Sequence, residues 1–327
     1  MWRTQKLREP TEGVNLAGAR YTTARYVPIR RFQVKISNWR YLLGRDLAGR
    51  VVAITGASSG IGAATAEACA GVGMRVGLFA RRELRLEKLA KQIRGQGGEA
   101  ETVVGDVRDR EAVAGLVTAV TRRWGGLDAI VANAGFGIVA PVATTPPEEA
   151  REIFDVNVLG TVWAIQAAWP VFEAQRRGHV IIVSSVLAQH GLPANALYSA
   201  TKAAQSVMAD GLRVEAEPLG IDVSVVYPVG TDTEFFESIR NNTGSRKKVS
   251  PAGPRGPRQT ADQVARSIVD CMQRPRFEVY PYRPARLVPW ADALSPKLVA
   301  KILRFPDYYR RQMGIGGETE TKPEGEA

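Results

Sequence analysis

Tyr198 and Lys202 stand four residues apart in a segment of helical apolar spacing, so the phenol and the ammonium share one helix face. A phenol beside a fixed cation is a candidate general acid/base, because a tyrosine ordinarily ionises near pH ~10 and a neighbouring positive charge favours the phenolate. Of the nine tyrosines, only Tyr198 has a lysine four residues on. Upstream, the apolar run 179–183 ends in Ser184 and Ser185. The Ser185 hydroxyl is placed to hydrogen-bond the substrate oxygen that Tyr198 would protonate. A bare Tyr-x-x-x-Lys pattern is more often plain helix surface, but the strand and serine pair before it weigh against that. A second chemistry lies near the start, where Thr55-Gly-Ala-Ser-Ser-Gly-Ile-Gly62 separates the apolar run 51–54 from a helical stretch, 63–71. Strand, glycine turn and helix together present backbone N–H groups and a helix N-terminus to a diphosphate. Glycines at 56, 60 and 62 permit the tight turn and the close approach.

The elements that must position these groups alternate along the chain. Strands are expected at 51–54, 75–80, 101–104, 128–131, 179–183, 221–227 and 277–280. Helices are expected at 63–71, 84–94, 110–124, 196–217 and 260–273, with a long one at 147–177 bent near Pro170. This alternation predicts an α/β fold, a doubly wound, Rossmann-like parallel sheet of about seven strands with helices on both faces. In such sheets ligands bind beyond the carboxyl ends of the strands. The glycine turn, Asp106, Asn133 and Ser185 all fall at such ends.

Composition narrows the remaining choices. The 327 residues are 45% hydrophobic and 24% charged, ordinary for a globular chain with a sizeable core. Two cysteines and two histidines supply neither a disulfide framework nor a zinc set, and no metal site is expected. Cys69 and Cys271 fall in helical patterns and suit a reducing compartment, so a cytoplasmic location is expected. The net charge of +11 is uneven: residues 1–49 carry ten Lys/Arg against Glu9, Glu12 and Asp46. The chain divides into a basic, partly ordered extension (1–49), a Rossmann domain (50–285) and a C-terminal elaboration with an acidic tail (286–327). The basic extension is open to contact with a membrane surface or an acidic protein, the alternative being a solvated surface. Nothing resembles a nucleic-acid module, so no nucleic-acid partner is expected. Residues 234–258, with Arg246, Lys247, Lys248 and Arg255, should form a flap over the substrate. Val288, Trp290, Leu294, Leu298 and Leu303 are expected to pack on the body rather than line a pocket or lie on a membrane.

These motifs together resemble the short-chain dehydrogenase/reductase superfamily, classical type, over about residues 50–240, with weaker similarity to 285. The turn matches Thr-Gly-x-x-x-Gly-x-Gly, and the resemblance implies cofactor contacts from Gly56, Ser58, Ser59, Gly60, Ile61 and Gly62. Asn133, Ala134 and Gly135 match the motif supporting the central sheet, and Asp106 with Val107 matches the adenine-contacting acid. Thr233 sits where a threonine contacts the carboxamide, although Pro228-Val-Gly230 departs from the usual Pro-Gly. Asn157, Ser185, Tyr198 and Lys202 match the catalytic tetrad. By resemblance Tyr198 is the acid/base, Ser185 orients the substrate oxygen, Lys202 lowers the tyrosine pKa and holds the ribose, and Asn157 holds a water in the proton relay. The second strand ends in Ala80 rather than an acid, and Arg81 and Arg82 follow. Arg81 is therefore expected to take a 2′-phosphate, making the cofactor NADP(H) rather than NAD(H). The expected function is hydride transfer between NADP(H) and a small carbonyl or secondary alcohol, in a homo-oligomer by resemblance. The alternatives are a reductase of carrier-bound 3-oxoacyl chains and a non-catalytic dinucleotide-binding regulator.

Overall fold

The computed structural model describes residues 44–192, 194–233, 240–241 and 258–295. Residues 1–43, nearly all of the flap with its basic cluster, Leu298, Leu303 and the acidic tail lie outside the described residues.

The β-branched and apolar runs form seven strands: β1 (Val51–Thr55), β2 (Arg75–Ala80), β3 (Glu99–Val104), β4 (Ala129–Ala132), β5 (Gly178–Val183), β6 (Ile221–Val226) and β7 (Glu278–Val279). They build one sheet in the order β7-β6-β5-β4-β1-β2-β3, with every pairing parallel. Strands β1, β4 and β5 are buried along their whole length, which is why they read as continuous apolar runs rather than alternating ones.

Helices cover both faces. Ala66 and Cys69 of α1 (Gly60–Gly71), Leu86 and Ile93 of α2 (Glu83–Gly95) and Ile268 and Met272 of α7 (Ala261–Gln273) bury one face. Leu116 and Val120 of α3 (Arg110–Trp124), Ala164 and Phe172 of α5 (Gly160–Gln175) and Leu212 of α6 (Ala196–Ala216) bury the other. The strand order reverses between β1 and β4, so a crevice opens where their carboxyl ends diverge.

Three expectations need correction. The long helix is interrupted not at Pro170 but at a widened π turn, Asp155–Leu159, between α4 (Pro147–Phe154) and α5. Pro170 stays inside α5 on its exposed side, where solvent can take the carbonyl that the missing N–H leaves. Residues 44–49, read with the basic extension, belong to the folded body. Leu47 is buried in the core, and Arg45 pairs with Asp222 at 2.7 Å. Trp290 and Leu294 of α8 (Val288–Leu294) do not pack on the body within this chain: they are 72% and 86% exposed. The valine inserted after Pro228 leads into a short strand, Gly230–Asp232, paired with Arg258–Thr260.

Candidate active site

The glycine turn is set by backbone geometry that only glycine tolerates. Gly56 has φ +68°, and a Cβ on Gly62 would sit 2.3 Å from the Gly56 carbonyl oxygen. The turn thus closes tightly on itself and on the end of β4. Asn133 locks the two together, its Nδ2 donating to the Thr55 carbonyl at 3.0 Å while its own N–H donates to Thr55 Oγ1 at 3.1 Å. Ala134 N–H donates to the same hydroxyl at 3.2 Å. Thr233 lies against the turn, with its Cβ 3.2 Å from where a Gly60 Cβ would be. Ile61 is half-buried beneath the turn, against the core below α1. The structure therefore brings the turn, the Asn133–Gly135 segment and Thr233 into one crevice.

Arginines line its outer edge. Arg82 Nε donates to Ser58 Oγ at 3.0 Å, and its Nη2 donates to Ser58 Oγ at 2.9 Å and to Ser59 Oγ at 2.6 Å. Arg81, the residue expected to hold a phosphate, is 66% exposed and reaches Asp106 at 3.8 Å. Asp106 is held more firmly by Arg108, whose Nη2 donates at 2.7 Å and whose backbone N–H donates at 3.0 Å. Partial burial disfavours the Asp106 carboxylate, but the Arg108 hydrogen bonds and the charges of Arg108 and Arg81 outweigh this and keep its pKa below the usual value. Val107 is buried, packing against Gly160 at the start of α5.

The catalytic candidates converge at the carboxyl ends of β4 and β5. Ser185, 92% buried, follows β5, and its Oγ accepts from Leu187 N–H at 3.2 Å. It also hydrogen-bonds Tyr198 on α6. Tyr198 is half-buried as a residue, yet desolvation around its hydroxyl pushes the phenol up to about 12, with the Ser185 bond pulling the other way. Lys202, one turn on, is buried; its Nζ donates to the Val183 carbonyl at 2.8 Å and to Gln205 Oε1 at 3.1 Å. Burial pushes this amine down to about 7. The ammonium lies 5.7 Å from the Tyr198 ring centroid. Desolvation dominates both groups, raising the phenol and lowering the amine, so the phenol is protonated at neutral pH.

Asn157 sits in the π turn and is fully buried. Its Oδ1 accepts from Phe136 N–H, and its Nδ2 donates to the Phe136 carbonyl and Thr201 Oγ1, each at 3.0 Å. Gly135 lies between the two parts of the site, since a Cβ there would be 3.0 Å from Asn157 Oδ1 and 3.6 Å from Lys202 Nζ. Beside Tyr198, Phe136 and Leu197 pack with Ile138, Ala140 and Ile153 into an apolar wall.

Three participants were not singled out from sequence: Gln205 and Thr161 around Lys202 and Asn157, and Arg108 on Asp106. Gln205 lies one turn beyond Lys202, on the face that α6 turns inward. That position, on the same buried face as Lys202, was the available signal.

Comparison with known proteins agrees with this geometry. The sequence profile described as short chain dehydrogenase matches residues 50–244. An uncharacterised oxidoreductase of Listeria monocytogenes is 36% identical over 228 residues, covering 69% of this chain and 91% of the relative. A short chain dehydrogenase/reductase from Burkholderia phymatum, solved in complex with NAD, shares the fold with a TM-score of 0.68 at 23% identity, covering 76% of this chain and 96% of the other. An alcohol dehydrogenase from Thermococcus sibiricus, complexed with 5-hydroxy-NADP, gives a TM-score of 0.60 at 28% identity, covering 71% and 95%. The chain belongs to the short-chain dehydrogenase/reductase superfamily and is an NAD(P)-dependent oxidoreductase.

Proposed function

We propose that this oxidoreductase interconverts a small carbonyl compound and its alcohol with NADP(H), using Tyr198 as general acid/base. What carries this is the Tyr198 phenol: protonated at neutral pH, hydrogen-bonded to Ser185, and adjacent to Lys202. In the reductive direction Tyr198 gives its proton to the carbonyl oxygen. The Ser185 hydroxyl donates a second hydrogen bond to the same oxygen and so fixes its position. In the oxidative direction the phenolate takes the alcohol proton back. Lys202 and Asn157 hold the geometry from behind, and the apolar wall of Phe136, Ile138 and Leu197 suits the hydrocarbon part of the substrate.

The residues present fit a dinucleotide. The turn is too tight for a Cβ at Gly62, so only backbone lines it, and it meets the N-terminus of α1. The turn, Asn133–Gly135, Asp106, Val107 and Thr233 would hold the cofactor, with Lys202 near its ribose. When bound, the nicotinamide supplies or accepts the hydride. NADP(H) is favoured because β2 ends in Ala80 without an acid, and because Arg82, with Ser58 and Ser59, offers a guanidinium and two hydroxyls to a phosphate.

A screen of ketones, aldehydes and alcohols with each reduced or oxidised cofactor, followed by nicotinamide absorbance, tests this assignment. Turnover of at least one carbonyl–alcohol pair with NADP(H) preferred is expected. Turnover with NAD(H) alone would overturn the cofactor assignment, and turnover that survives loss of the Tyr198 hydroxyl would overturn the acid/base.

A further inference from the structure

Gln205 is fully buried, and its side-chain amide reaches three groups of the site. Its Oε1 accepts from Lys202 Nζ at 3.1 Å. Its Nε2 donates to the Asn157 carbonyl and to Thr161 Oγ1, both at 2.7 Å. The chemistry of the partners forces this orientation. A lysine ammonium only donates and a main-chain carbonyl only accepts, so the amide oxygen must face Lys202 and the NH₂ must face Asn157. A buried amide is costly unless paired, and this one is paired at both ends.

The Asn157 carbonyl is doubly engaged, accepting from Gln205 and also from Thr161 Oγ1 at 2.8 Å. Both Asn157 side-chain hydrogens are also taken, by the Phe136 carbonyl and Thr201. The π turn thus holds Asn157 through both its side chain and its carbonyl. Its connection to Lys202 runs through the side chain of Gln205. Lys202 in turn has two of its three ammonium hydrogens directed, one to Val183 and one to Gln205.

We propose that Gln205 is a positioning residue of the reaction: it ties the Lys202 amine to the Asn157 carbonyl, holds it in place beside Tyr198, and sustains its charge by accepting a hydrogen bond from it. This rests on the assignment of Tyr198 and Lys202 to the reaction. No charged side chain among the described residues acts on Lys202, and the titratable group beside it is Tyr198. The groups that accept from it, the Val183 carbonyl and Gln205, are neutral. Gln205 is therefore the side chain whose replacement should change the lysine's charge state without moving another ion.

The test follows the titration of Lys202 directly, by lysine side-chain NMR of the full chain, its resonance assigned from its loss in Lys202→Arg. Gln205→Met keeps the shape and removes the acceptor, so Lys202 should titrate about one pH unit lower, the equivalent of one charge-assisted hydrogen bond. Gln205→Glu places a carboxylate at the same point and should move the titration up by ~1–3 units. Opposite shifts support the proposal, because a merely structural role would lower the melting temperature of both variants without that sign reversal. Unmoved titration in both, or shifts of one sign, would overturn it. Tyr198→Phe is measured in parallel. If that variant loses turnover while the Gln205 variants leave Lys202 unmoved, the catalytic assignment stands and the role of Gln205 falls. If Tyr198→Phe keeps turnover, Gln205 positions no group of the reaction even where Lys202 shifts.

Discussion

In Arg82→Ala the guanidinium that bridges Ser58 and Ser59 at 2.6–3.0 Å is lost, and with it a positive group held on the glycine turn. A 2′-phosphate held there would accept charge-assisted hydrogen bonds from Nε and Nη2. Losing one such contact costs about 1.5–3 kcal/mol, or roughly 10- to 150-fold in Kd. NADH carries no phosphate at that position, so its affinity should change by less than about threefold. Arg81→Ala should do less, because that side chain is 66% exposed and leans 3.8 Å toward Asp106 rather than over the turn. The assay is equilibrium titration of nicotinamide fluorescence with NADPH and NADH for wild type and both variants. Equal losses for the two cofactors in Arg82→Ala, or a wild type that prefers NADH, would refute the reasoning. A larger NADPH loss in Arg81→Ala than in Arg82→Ala would restore Arg81 as the phosphate residue.

Gly62→Ala forces a Cβ to within 2.3 Å of the Gly56 carbonyl oxygen, so both cofactors should weaken together and stability should fall by about 1–3 kcal/mol; equal melting temperatures and unchanged Kd values would contradict the tight turn. His179 is buried with Nε2 2.8 Å from Ser224 Oγ and Nδ1 lacking a partner, and desolvation pushes its pKa down to about 4. Between the unfolded value near 6.5 and about 4 the unfolded chain binds the extra proton, so stability should fall as pH drops through that window, by on the order of 3 kcal/mol. Denaturant melts at stepped pH check this, and His179→Gln should flatten that part of the curve; an unchanged slope would exclude His179 as its source. With the Tyr198 phenol near 12, alcohol oxidation, which needs the phenolate, should rise with pH at up to roughly tenfold per unit. An oxidation rate that levels off below pH ~7 would show that another base is at work.

The strands were legible because β1, β4 and β5 are buried throughout, and such burial demands unbroken β-branched runs. The glycine turn was legible for a similar reason, since a carbonyl and a Cβ cannot share the space between Gly56 and Gly62. What sequence spacing could not carry was distance between elements. Arg81 and Arg82 are neighbours in sequence, and only the direction of the chain leaving β2 decides which one crosses the turn. Tyr198 and Lys202 share a helix face as expected, but their proton affinities follow from desolvation by burial, which helix spacing does not show. Pro170 is a strong local signal of a break, yet it falls on a solvated face where its cost is small, while Asp155–Leu159, without proline or glycine, carries the irregular turn. Trp290 and Leu294 have the composition of a packed surface, and composition alone did not place them on an exposed one.

The most direct test of the central claim is kcat for Tyr198→Phe on whichever carbonyl substrate the wild type reduces, with cofactor Kd measured beside it. The substitution leaves the ring packed on the cluster of Ile138, Ala140 and Ile153 and removes only the hydroxyl bonded to Ser185. General acid/base groups contribute ~10²–10⁴-fold, so kcat should fall by that factor while Kd for NADPH stays within about twofold. Turnover close to that of the wild type would contradict the assignment of Tyr198 as the proton donor.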